Sequence, residues 1–193
     1  SWPLWVRWSV SKVHHVGGLH AGCALAGTVW LGAFTGAVIV SRHRYPDSVS
    51  LTTFVLCVLL VALLLVVSVG ASSPVRAREH NVFEQTHRWG GWTAIALFWI
   101  LTIDLALTGR SDETAIEAVA SDWHVWVLMV LTASIASPWL RLRRVPITVE
   151  CPSRHVAIVH LDYGVRPTHT SAVGISLSPL GEWHPFATVT TPG

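Results

Sequence analysis

The sequence predicts an all-α membrane bundle of about four transmembrane helices, followed by the start of a cytoplasmic β-domain. Three observations lead there. Of 193 residues, 51% are hydrophobic and only 12% are charged, about half the charged share of an ordinary soluble domain. The uncharged residues fall in long blocks. Beyond residue 140 the pattern changes to short runs rich in valine and isoleucine.

Residues 13–41 hold no Asp, Glu, Lys or Arg, and neither do 48–75 or 123–140. The block 89–109 is broken only by Asp104. A hydrocarbon core is crossed by ~20 mostly apolar residues in a helix. Crossings are therefore expected at about 16–40, 50–70, 90–108 and 122–140. The run TTFVLCVLLVALLLVVS at 52–68 is the strongest of these signals. It is internal and too long for a cleaved signal peptide. A soluble core of buried helices is the competing explanation, but a chain this short cannot wrap four such helices with so few charges.

The loops on the side where the first helix begins carry Arg76, Arg78 and Arg88, then Arg141, Arg143 and Arg144. The opposite loops carry Arg42 and Arg44 with Asp47, and then Asp112, Glu113 and Glu117 against Arg110. The Lys/Arg bias predicts that both termini are cytoplasmic. Gly18, Gly22, Gly27 and neighbouring alanines predict close helix approach along the first helix. The second helix, uniformly aliphatic, is expected to face lipid widely and to offer no polar site. The chain begins at Ser1 and ends in TVTTPG, which reads as an internal piece of a longer protein. Domains are expected at 1–145 (helical) and 146–193 (β), with ITVEC and HVAIVHLDY as strands.

The three cysteines, Cys23, Cys57 and Cys151, are too scattered for a disulfide framework. A net charge of +2 and the lack of a basic stripe give no sign of a nucleic-acid partner, and the expected partner is the lipid bilayer. Chemistry must come from a few polar residues. His14, His15 and His20 cluster at the start of the first helix, and His87 stands just before the expected third. Imidazole ligates transition metals and haem. His20 and His87, with His15 as substitute, are candidate ligands for haem iron if their helices are neighbours. A metal ion, or a purely structural network of interfacial histidines, fits the spacing equally. Asp104 and His124 form a second expected pair, since a histidine partner lowers the cost of a carboxylate in lipid. It reads as a proton relay or as a structural lock. A transporter is a weaker reading, because Asp104 is almost the only internal polar group and no broken-helix pair appears.

The segment SPLGEWHPFA resembles the flavin-binding signature of the ferric reductase and NADPH oxidase superfamily. The resemblance implies that His184, Pro185 and Phe186 contact FAD in a β-barrel flavin-binding-like domain, with Thr188 a weaker candidate because Ala187 stands where the family has threonine. Nearly the whole chain is similar to TmpA-type integral membrane proteins, through HHVGGLHAGC, YPD, FEQTHRWGGWTAIALFW, PWLRLRRVPI and SPLGEWHPFA. That resemblance implies a membrane flavo-oxidoreductase passing electrons from NAD(P)H, bound by a domain outside this chain, through FAD and one haem b. It also implies a link to an adenylating peptide-synthetase-like enzyme. One departure is clear. The superfamily's haem ligands recur thirteen or fourteen residues apart on one helix, but here those offsets from His20 and His87 fall on Ala33, Phe34, Ile100 and Leu101. The two-haem ladder is not encoded. The alternative function is a non-catalytic membrane anchor or assembly module for an adenylating or signalling partner.

Overall fold

The computed structural model describes Pro3, Trp5 and residues 18–108, 110, 114–161, 164 and 172–187. It is mostly helical, with two small antiparallel ribbons after the helices. The helices are α1 (Gly18–Arg44), α2 (Leu51–Gly70), α3 (Ser73–Arg78), α4 (His80–Leu107), α5 (Ala115–Ser121) and α6 (Trp123–Leu140). Four of them, α1, α2, α4 and α6, are long and apolar enough to cross a membrane.

Their limits follow from local chemistry. α1 ends in Arg42, His43 and Arg44, and the two arginines suit the negative end of a helix dipole. Arg42 Nη1 donates to the Val49 carbonyl at 2.7 Å, tying that end to the start of α2. Ser50 caps α2, its Oγ accepting from the Thr53 amide at 2.9 Å. Pro138 lies two residues before the end of α6, and the helix closes there with the Arg141 amide on the Pro138 carbonyl at 3.1 Å.

The third long helix begins ten residues before the expected position, at His80 rather than 90. Glu84 and Arg88 made this stretch look like a loop. One turn apart on the helix, they form an ion pair, which offsets their charge where the helix leaves the apolar block.

Two further expectations are corrected. α2 is not the lipid-facing helix of the set: it supplies Leu56, Cys57 and Leu60, the last two fully buried. These pack with Val38 of α1 and with Ala94 and Leu101 of α4. α2 is thus the centre of the packing. The α1 glycines are not where the helices approach closely either, because a Cβ on Gly22, Gly27, Gly32 or Gly36 would meet nothing within 4 Å. The close approach is between α2 and α4. A Cβ on Gly90 would come within 2.5 Å of Val67 Cγ2, and one on Gly70 within 3.0 Å of Thr86 Oγ1.

α5 is held by a capping box: Thr114 Oγ1 accepts from the Glu117 amide, and Glu117 accepts from the Thr114 amide at 3.0 Å. The Thr114 hydroxyl and amide hold the Glu117 carboxyl below its usual range. The cap is therefore at full strength above the ordinary carboxyl pKa and is lost as pH falls through the lowered folded-state value. Backbone hydrogen exchange in 114–121, corrected for intrinsic rate, is expected to quicken below about pH 4.5, near the model-peptide glutamate value. A Glu117→Gln chain should lack that step.

By contact, the chain divides into two units, Ser1–Val130 and Leu131–Gly193, the division falling within α6. In the second unit β1 (Ile147–Ser153) pairs antiparallel with β2 (Val156–Leu161), in the register Thr148↔His160. β3 (Ala172–Ile175) pairs with β4 (His184–Ala187), in the register Ile175↔His184. The expected strands are present, but among the described residues they form two separate ribbons and not a closed barrel.

Candidate functional site

Two polar constellations lie among the long helices. In the first, α1 and α4 bring His20 and His87 together, with ring centroids 5.9 Å apart and planes at 76°. The ring of Phe83, one turn earlier on α4, lies 5.4 Å from that of His87 and fixes its tilt. His87 Nδ1 is buried and has no hydrogen-bond partner among the described residues. The two imidazoles meet edge to face, a ring contact of the kind aromatic pairs prefer. No group of three or more His, Cys, Asp or Glu side chains converges among the described residues. His15 lies outside the described residues.

The second constellation surrounds Asp104. Thr53 Oγ1 donates to Asp104 Oδ2 at 2.5 Å, and Ser50 Oγ donates to the same oxygen at 3.3 Å. Thr53 is buried. The side chain of Asp104 therefore sits against the first turn of α2, where two hydroxyls donate to one of its oxygens.

The expected Asp104–His124 pair is corrected. His124 turns to Asp122: its amide donates to Asp122 Oδ1 at 2.9 Å and its Nδ1 lies 2.7 Å from the same oxygen. Its ring stacks on Trp123 at 3.9 Å. The His124 amide, and then its ring, hold the Asp122 carboxyl below its usual range. A partner two residues away costs less conformational freedom than one on another helix, and Asp104 already has its own donors. Ser50 and Thr53 were missed in the sequence because their helix looked featureless. The Ser-x-x-Thr start before an apolar run was the available signal.

The HPFA run is strand β4. His184 is exposed, with Nε2 3.8 Å from Glu182 Oε2, and Phe186 is exposed opposite Val173. Pro185 lies opposite Gly174 in the ribbon, and Thr188 is outside the described residues.

No protein-family model matches the chain. No solved structure matches it. Two curated relatives from Coprinopsis cinerea match its full length. Both are named adenylate-forming reductases, 37% identical over 197 residues and 35% over 198. The chain spans 19% of the length of each.

These relatives overturn the reading of a flavin-dependent oxidoreductase of the ferric reductase type. That reading rested on the HPFA run and on a resemblance to TmpA-type proteins, whereas the relatives matched over the whole chain are named adenylate-forming reductases. The electron path from NAD(P)H through FAD and haem was part of that reading and goes with it. The implied relationship to adenylating enzymes agrees with these names.

Proposed function

We propose that this chain is the membrane-embedded module of a larger adenylate-forming reductase, holding the rest of that protein at a bilayer. The observation that carries the reading is the set of four long helices whose outward faces are apolar and uncovered. Between 11% and 22% of each helix's most apolar stretch is buried within the protein. Trp30, Val66, Val69 and Val130 are among the large side chains left exposed. In water such continuous apolar surface would aggregate, whereas in a bilayer acyl chains cover it at no cost. α1, at 27 residues, measures about 40 Å, and α2, at 20 residues, about 30 Å, lengths that match an apolar core of ~30 Å. The link to TmpA-type proteins belongs to the same proposal through the adenylating partner it implies. The arginine bias supports a topology with both ends on the cytoplasmic side.

The test is a fusion of the full chain to a soluble fluorescent protein. The reporter is expected to stay in the membrane pellet through alkaline carbonate extraction. A single cysteine introduced in 71–79 should resist an impermeant label in intact cells. Release of the reporter by carbonate would refute the proposal, and strong labelling at 71–79 would reverse the orientation.

A further inference from the structure

Directly after α6 the chain carries Arg141, Arg143 and Arg144. The last two, with Ser176, Ser178 and Trp183, line a cavity of about 250 Å³ in the second unit. The turn that forms its far wall is fixed from within. Ser176 Oγ donates to the Ser178 carbonyl at 2.6 Å, and Trp183 Nε1 donates to the Pro179 carbonyl at 3.2 Å. Among the described residues that line the cavity, Arg143 and Arg144 are the charged ones and none is a carboxylate. At the tip of the same turn Leu177 is fully exposed and Leu180 largely so.

Position narrows what such a cavity can take. α6 ends at Leu140, and three or four further residues reach at most about 14 Å. The headgroup layer outside each face of an apolar core is roughly 5–7 Å deep. Arg143 and Arg144 are therefore confined to the headgroups or just beyond them. Tryptophan favours that boundary, arginine clusters beside a membrane span attract anionic lipid, and guanidinium groups match phosphate oxygens in pairs. An exposed leucine at the tip of a rigid turn has a use there and none in water.

We propose that this cavity binds the phosphate of an anionic phospholipid headgroup, with Leu177 entering the apolar boundary beside it. The proposal rests on α6 crossing the bilayer. A free phosphate group in solution has the same chemistry, and the experiment separates the two.

The full chain is prepared with Cys23→Ser and Cys151→Ser, and an environment-sensitive fluorophore is placed at Leu177→Cys, where an apolar probe replaces an apolar side chain. It is reconstituted in nanodiscs of phosphatidylcholine, with or without a third of phosphatidylglycerol. The phosphatidylglycerol discs are expected to give the bluer emission. Arg143→Ala with Arg144→Ala should erase the difference, corresponding to a roughly thirtyfold loss of preference for anionic lipid, the loss expected for two cationic groups at its surface. Equal emission in the two lipids, from a chain that resists carbonate extraction, overturns this proposal and leaves the membrane reading intact. The same blue shift on adding inorganic phosphate to pure phosphatidylcholine discs also overturns it, in favour of a free-phosphate site. Release by carbonate brings down the membrane reading itself.

Discussion

Gly90→Val is expected to destabilise the helical unit by about 1–3 kcal/mol, the usual cost of forcing extra carbon into a filled contact. Gly91→Ala, one residue along, is expected to stabilise it by up to about 1 kcal/mol. The opposite signs follow from what each glycine faces. A Cβ on Gly90 meets Val67 Cγ2 at 2.5 Å, with Leu63 Cδ1 at 3.8 Å behind it. Val67 is β-branched and on a helix, so it has little rotamer freedom with which to withdraw. A Cβ on Gly91 meets nothing within 4 Å, and there only the backbone entropy of the unfolded chain changes. Thermal unfolding in mild detergent, followed by circular dichroism, measures both. Val67→Ala in the Gly90→Val background should recover more than half of the loss, because it removes the obstructing methyl. Equal effects at the two glycines would mean that α2 and α4 do not approach closely here.

The helices were legible because lipid-crossing segments must exclude charge over ~20 residues, and few soluble segments do. The neighbourhood of His20 and His87 was legible too, since residues near the starts of the first and third spans, which run parallel, share a depth. What one chain cannot reveal is which helix lies in the middle. The apolar surface of α2 is uniform, so nothing in its pattern marks a buried stripe, and the small residues of α1 pointed elsewhere. In lipid, apolar residues face in and out alike, and the periodicity that separates core from surface in water is lost.

The β-ribbons illustrate a different boundary. Val, Ile and Thr alternation located Ile147–Ser153 and Val156–Leu161, but local pattern says nothing of whether ribbons close into a barrel. The HPFA run was misleading for a related reason. Four residues on one short strand carry little information about function, and their resemblance to a flavin signature was outweighed by similarity spread over the whole chain.

Asp104 offers the sharpest separation of expectation from structure. Its carboxylate accepts from Thr53 at 2.5 Å and from Ser50 at 3.3 Å, across 51 and 54 residues of sequence, while His124 is bound to Asp122. Asp104→Ala is therefore expected to cost about 1.5–3 kcal/mol, the range for hydrogen bonds to a charged group. Thr53→Val should cost somewhat less, because Ser50 remains. The decisive quantity is the coupling. In a double-mutant cycle Asp104→Ala and Thr53→Val should be non-additive by roughly 1 kcal/mol, within the range for interhelical hydrogen bonds in lipid. Asp104→Ala and His124→Ala should add without interaction. Asp104→Asn keeps an oxygen acceptor for Thr53, so it should lose only part of what Asp104→Ala loses. Unfolding in mixed micelles of increasing denaturing-detergent fraction measures all of these variants. A coupling to His124 as large as that to Thr53 would return Asp104 to the pair expected from the sequence.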